Sequence, residues 1–258
     1  AKVSAISQTD TSEVIKLGTL ALSINLASLN KINGGSYKVK LEDAATAVSK
    51  NWTTIANINK NIDSISLTDA KPELSLSAAQ TVSGGDLLNK FSNPSVGLTL
   101  TDSAANISSN LSGLLALNDK ITKVKQTALG NIAITQSQLA DATFTSFVGK
   151  LDPATYSFAV SGVDKENIAS VVANASVKSI QLNIADGLLS SDNASTAVAL
   201  SSNKITAINI SNASVASLAA LGADKRVKSI AIADKLENIV SATNLASIDA
   251  LMKKSKGM

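Results

Sequence analysis

Cysteine and histidine are both absent from the 258 residues of this chain. Disulfides, thiolate nucleophiles, imidazole bases and the usual zinc sites are thereby excluded. Aromatic residues make up 3% of the chain, so any core must be assembled from Ala, Val, Ile and Leu. Charged residues are 17%, below the roughly one quarter of an average domain. The formal net charge is +3. The lysines are scattered except for Lys253, Lys254 and Lys256, and no basic stripe interleaved with aromatics marks a nucleic-acid face. No apolar run approaches the ~20 residues that span a bilayer, so membrane insertion is not expected. No charged-then-apolar leader opens the chain. With no starting Met, the chain is read as a processed product or a piece of something longer.

What the chain does contain is 45% hydrophobic residues, enough for a sizeable core, arranged in a repeat. The stretch from Lys40 to Ile62 aligns without a gap with that from Thr99 to Ile121. Asp43 falls on Asp102, Asn51 on Asn110, Trp52 on Leu111, and Ile62 on Ile121. A phrase alternating apolar and polar residues recurs at Ile6–Asp10, Val39–Asp43, Ile65–Asp69, Leu98–Asp102 and Val124–Thr127. It returns at Phe158–Gly162, Ile180–Leu182, Ile208–Ser211 and Ile230–Asp234. Its spacing alternates between 33 and 26 residues at first, giving a composite unit of 59 that shortens later. Leu29-Asn30-Lys31 recurs as Leu88-Asn89-Lys90.

Each phrase has the period of a half-buried strand. Helical spacing follows it: after Asp102, the residues Ile107, Leu111, Leu114 and Leu115 share one face. Asp10-Thr-Ser-Glu13 has the form of a capping box. The longer arm carries an extra short strand, Glu73–Gln80, with a counterpart at Asn131–Gln138. Strand and helix in alternation imply parallel pairing through right-handed crossovers. The reading is α/β, a right-handed β/α solenoid of stacked repeats with a parallel sheet; the alternative is a closed β/α barrel. A single elongated domain is expected over 1–258, with composite repeats near 3–61, 62–120, 121–176, 177–226 and 227–258.

The phrases "SISLTD", "LTDSAANISSNLSGLLAL" and "DKITKV" resemble the repeats of very large exported bacterial surface proteins, the adhesins and surface-layer-like proteins. The match is closest from Ile62 to Thr127 and covers most of the chain. The resemblance implies a surface or adhesive scaffold, secreted or held at the bacterial cell surface, and no particular chemistry. Two features depart from it. The chain is slightly basic where such repeats are usually acidic, and it has no Gly-Gly-x-Gly-x-Asp calcium nonapeptide.

The recurring strand-end aspartates, Asp10, Asp43, Asp69, Asp102 and Asp234, are the candidates for Ca²⁺ ligation. The competing expectation is that each caps the helix following it. Asn51 and Asn110 either pair across neighbouring repeats or face solvent. Trp52 is expected in the core rather than as a sugar platform. No carboxylate pair, Walker loop or G-x-G-x-x-G stands out, so no enzyme, no catalytic residue and no cofactor other than Ca²⁺ is expected. The function expected is structural: a surface layer, filament or adhesin stalk that self-associates into a fibre or lattice. The alternative is a module recognising glycan or another surface protein. The first strand, with Val3 and Ile6, looks bare and is the expected assembly edge.

Overall fold

The strand Val39–Asp43 (β2) shows how the sequence writes this fold. Val39 and Leu41 point into the core while Lys40 and Glu42 do not, and Asp43 ends the strand where Ala45 begins a helix. A fully buried Leu or Ile of this kind contributes about 1.5–3 kcal/mol. The computed structural model describes residues 5–7, 9, 13–32, 35–128, 130–152, 156–185 and 201–255. They pack as two compact units, Ala1–Leu129 with Ala142–Thr155, and Gly130–Asp141 with Tyr156–Met258.

The first unit holds two three-stranded sheets. One is β1 (Ile15–Leu17), β2 and β3 (Ile62–Leu67), in that order; the other is β4 (Glu73–Leu76), β5 (Gly97–Asp102) and β6 (Lys123–Gln126). All neighbours are parallel, with Leu41 beside Ile65 and Leu100 beside Val124. The helices of this unit are α1 (Thr19–Leu29), α2 (Ala45–Lys50), α3 (Trp52–Asn57), α4 (Ala78–Ser83) and α5 (Ala104–Ala116). In the second unit lie β7 (Gly130–Thr135) and α6 (Gln136–Leu139); α7 (Ala142–Val148) returns to the first. The second unit continues with β8 (Tyr156–Val163), α8 (Ile168–Ala173), β9 (Val177–Ala185), β10 (Ile205–Ala213) and α9 (Leu218–Ala223). It ends with β11 (Val227–Ile232), α10 (Leu236–Ile239) and α11 (Ala242–Ser255). Its five strands form one parallel sheet, β7 to β11 in chain order.

The expected parallel α/β arrangement is therefore present, and no sheet among the described residues closes into a barrel. Strands stand at every repeated phrase from Val39 onward; at Ile6 there is only a single bridge to Ile32. The extra strands expected at Glu73 and Asn131 are β4 and β7. One parallel sheet was expected, and the described strands form three. Phrases 26 residues apart pair directly, but those 33 apart do not: Leu98 pairs with Leu74, not with Ile65. After β3 the chain starts a new sheet. Beyond β3, Phe91 makes an isolated bridge to Ile65, and beyond β6 Leu151 makes one to Val124. Pro72 and Pro94 lie in the two segments that make this step. Neither has an N–H to extend a ladder.

The core is aliphatic as composition required, with Trp52, Phe144, Phe147 and Phe158 as its largest members. No described helix is long and apolar enough to cross a membrane.

Candidate functional site

The strand-end aspartates do cap helices, but each reaches backward rather than forward. Asp43 Oδ2 accepts from the Thr19 N–H at 2.9 Å and the Thr19 hydroxyl at 2.7 Å, at the start of α1. Asp69 Oδ2 accepts from the Ala45 N–H at 2.6 Å, the first residue of α2. Asp102 Oδ2 accepts from the Ala78 N–H at 3.0 Å, the first residue of α4. In each case donor and acceptor are 24 residues apart. Asp234 does the same to the Val215 N–H at 3.0 Å, which opens a short 3₁₀ turn before α9. The forward contact is secondary: the other oxygen accepts from Ala44 N–H, Ser103 N–H or Lys235 N–H, the residue just past the aspartate. The expectation of a cap on the following helix is thus corrected. A parallel strand ends beside the start of the helix that follows its neighbour, so a short carboxylate there meets that helix's first orphan N–H.

Local sequence explains why the device is needed. The N-cap positions of α1 and α2 are Gly18 and Ala44, which offer no side-chain acceptor. Gly18 also makes room: a Cβ there would lie 3.3 Å from Asp43 Oδ2. By contrast α4 and α6 carry their own capping boxes, Ser77 with Gln80 and Thr135 with Gln138. The bonds leave their electrostatic trace. Burial works against ionisation of Asp43, but the Thr19 hydroxyl and the Thr19 and Ala44 N–H groups outweigh it, and its pKa falls below the ordinary value. Asp102 is likewise lowered, its burial overcome by the Asn106 amide and the N–H groups of Ala78 and Ser103. Asp234 is lowered chiefly by the Asn238 amide.

A matching set of lysines holds the other helix ends. Lys90 Nζ donates to the carbonyls of Asn59 at 2.5 Å and Ile62 at 2.7 Å, beyond the end of α3. Lys150 Nζ donates to the Asn118 carbonyl and to Asn118 Oδ1 at 2.8 Å, beyond α5. Lys204 Nζ donates to the carbonyls of Val172 at 2.6 Å and Asn174 at 2.8 Å, at the end of α8. Burial pulls the Lys150 pKa down, while Asp119 pushes the other way. A cation at a helix C-terminus and an anion at an N-terminus both match the helix dipole. These charges therefore bond to backbone rather than to one another. The ion pairs among the described residues are Arg226–Asp224 and Lys235–Glu237, each two residues apart. Sequence reasoning missed the lysines; of the three, only Lys90 stands in the recurring Leu-Asn-Lys.

Of the calcium candidates, Asp43, Asp102 and Asp234 have both carboxylate oxygens engaged by N–H donors. Asp10 lies outside the described residues, as do Val3 and part of the expected capping box before Glu13. Among the described residues no three acidic side chains converge on one point. The two asparagines do not form one ladder. Asn51 reaches α1, bonding Ser23 Oγ and Thr19 Oγ1 at 3.3 Å each, while Asn110 donates to the Asn106 carbonyl in its own helix. Trp52 is buried; its Nε1 donates to the Gln80 carbonyl at 2.9 Å, and its ring stacks on Phe91 with centroids 6.3 Å apart.

Two surfaces complete the inventory. Along the outward faces of the sheets, Ser, Thr and Asn bond across strands: Asn131 with Ser157, Ser179 with Thr206, and Asn183 with Asn209 and on to Ser229. In the first unit, the step between its sheets opens a groove lined by Asp69, Lys71, Glu73, Asn93 and Lys123. Its polar groups are partly spent on structure, since Glu73 accepts from Thr99 and Asn93 clamps the N–H and carbonyl of Leu67. Comparison with family models, with characterised proteins and with solved structures finds no match.

Proposed function

We propose that this is a structural repeat protein of a bacterial cell-surface layer, extracellular filament or adhesin stalk. It is a right-handed β/α solenoid that works by self-association rather than by catalysis, and it is secreted. The observation that carries this reading is where the charges go. Carboxylates and lysines that could serve a substrate are bonded instead to helix ends of the preceding strand–helix segment. Across the exposed face of the second unit's sheet run hydrogen-bonded pairs of Ser and Asn. All seven aromatic side chains are buried or half-buried, which leaves no stacking platform for a sugar. The test is small-angle scattering combined with sedimentation over a wide concentration range. An elongated particle whose mass rises with concentration supports the proposal. A compact sphere that stays monomeric sinks it.

The groove beside Pro72 and Pro94 favours a second reading, a module that recognises glycan or another surface protein. Binding on a glycan array, lost on changing Lys71 and Lys123 to Ala, would favour it over the scaffold.

A further inference from the structure

Within each sheet, strand order follows chain order and every pair is parallel. Every strand thus has one edge that faces an earlier strand and one that faces a later strand. The later-facing edges of β3 and β6 are held by Phe91 and Leu151. That of β11 carries no strand or bridge among the described residues. Ile232, in β11 itself, is 37% exposed, and Leu236 and Val240, which follow it in the chain, are 73% and 53% exposed. An open edge with apolar neighbours is a template for strand pairing.

The opposite kind of edge is open at Ile6. Its equivalents in the next two composite units are Ile65 and Val124. Each has an earlier partner, Leu41 and Leu100, and a later one, Phe91 and Leu151. Ile6 has its later partner, Ile32, and no earlier one among the described residues. Its side chain is 40% exposed.

Resting on the self-association proposed above, we infer that the occupant of the β11 edge is a second copy of this chain, entering at Ile6. In that contact Ile6 takes the place that Ile65 has beside Leu41. Its polarity follows from the edges. Two β11 edges meeting about a two-fold axis would run antiparallel, against the sense of every strand pair among the described residues. A later-facing edge accepts an earlier-facing one in parallel, head to tail. Such a heterologous contact propagates unless it closes into a ring.

The absence of cysteine makes a clean test. The variants I6C, I232C and the double I6C/I232C are oxidised, or joined with a short bismaleimide, and run on a non-reducing gel. Melting followed by circular dichroism first confirms that each is folded. The double variant is expected to give a ladder of dimers, trimers and higher species. Each single variant stays monomeric on the gel, and a mixture of the two singles stops at dimers. Dimers from I232C alone would overturn the inference in favour of a two-fold contact. If wild-type chain sediments as a multimer while the double variant fails to cross-link, association occurs elsewhere; this inference falls and the proposed function stands. If wild-type chain is monomeric at every concentration, both fall.

Discussion

Lys40–Ile62 and Thr99–Ile121 align residue for residue, yet they do not fold identically. The first makes two short helices, α2 and α3, interrupted at Asn51; the second makes one continuous helix, α5. A back-bond from the asparagine amide to the carbonyl four residues earlier does not explain the interruption. Asn51 bonds Ala47 and Asn110 bonds Asn106, both at 2.9 Å. The difference lies one residue on, where Trp52 replaces Leu111. The indole must reach the Gln80 carbonyl and stack on Phe91, and Gly84 is the opening that admits it: a Cβ there would lie 2.3 Å from Nε1. In the second copy the close approach falls elsewhere, at Gly113, where a Cβ would meet Val82 at 2.7 Å. Duplication preserved helix ends and strand positions, while the contact between neighbouring helices was solved twice.

The largest expected effect comes from breaking that contact. Trp52→Ala should cost about 3–5 kcal/mol, the range for deleting a large buried aromatic. As Trp52 is the sole tryptophan, urea unfolding is followed by circular dichroism. Gly84→Ala alone should cost about 1–3 kcal/mol through overpacking. In a Trp52→Leu background that cost should largely vanish, which a double-mutant cycle reads directly. Additive costs would mean that Gly84 does not serve the indole.

The aspartates sharpen the comparison at a smaller scale. Losing a helix cap costs about 0.5–2 kcal/mol. Asp43→Ala should sit at the upper end of that range, because Gly18 supplies no acceptor of its own. Asp102→Ala should sit at the lower end, because Ser77 and Gln80 already box the start of α4. Equal midpoint shifts in urea would show that the backward bonds are incidental.

Acid tests the same bonds without mutation. Asp43 and Asp102 have folded-state pKa values below ordinary, so their contribution to stability is complete above the unfolded value of about 3.9. It is lost as pH falls through the folded values. Urea midpoints at neutral pH and near pH 3 should therefore differ less in the Asp43→Ala/Asp102→Ala double variant than in the wild-type chain. The smallest effect concerns calcium. Exchange of chelator for millimolar Ca²⁺ should leave the melting temperature almost unmoved. A ligand present at 100-fold its Kd would add about 2.7 kcal/mol and raise it by degrees.

Much of the fold was legible because burial is periodic. Alternation in Val39–Asp43 and Leu98–Asp102 marks strands, and the spacing of Ile107, Leu111 and Leu114 marks the inner face of α5; these apolar residues are buried as that pattern requires, and Thr99 is buried beside them. The break between sheets was not legible from apolar pattern, since β3 and β5 look alike in sequence and are not paired. The clue was proline, at Pro72 and Pro94. At the aspartates, sequence identified the residues and the chemistry but reversed the direction. A cap 24 residues away is invisible to local rules, which search for the acceptor beside its helix. Ile15–Leu17 was overlooked as a strand because three residues carry too little alternation to register.

The backward reach has a consequence for the order in which the protein hardens during synthesis. Thr19 is made 24 residues before the carboxylate that satisfies its amide. At roughly 5–20 residues per second, α1 waits about 1–5 s on the ribosome for Asp43. The lysines arrive later still, 28 to 32 residues after the carbonyls they hold. A helix with no cap of its own, such as α1 or α2, thus has its first amide satisfied only when the next strand has been made. Chains arrested just before and just after Asp43 should differ in protease cleavage within α1. The same asymmetry makes the last helix of any truncated chain the place where unravelling begins.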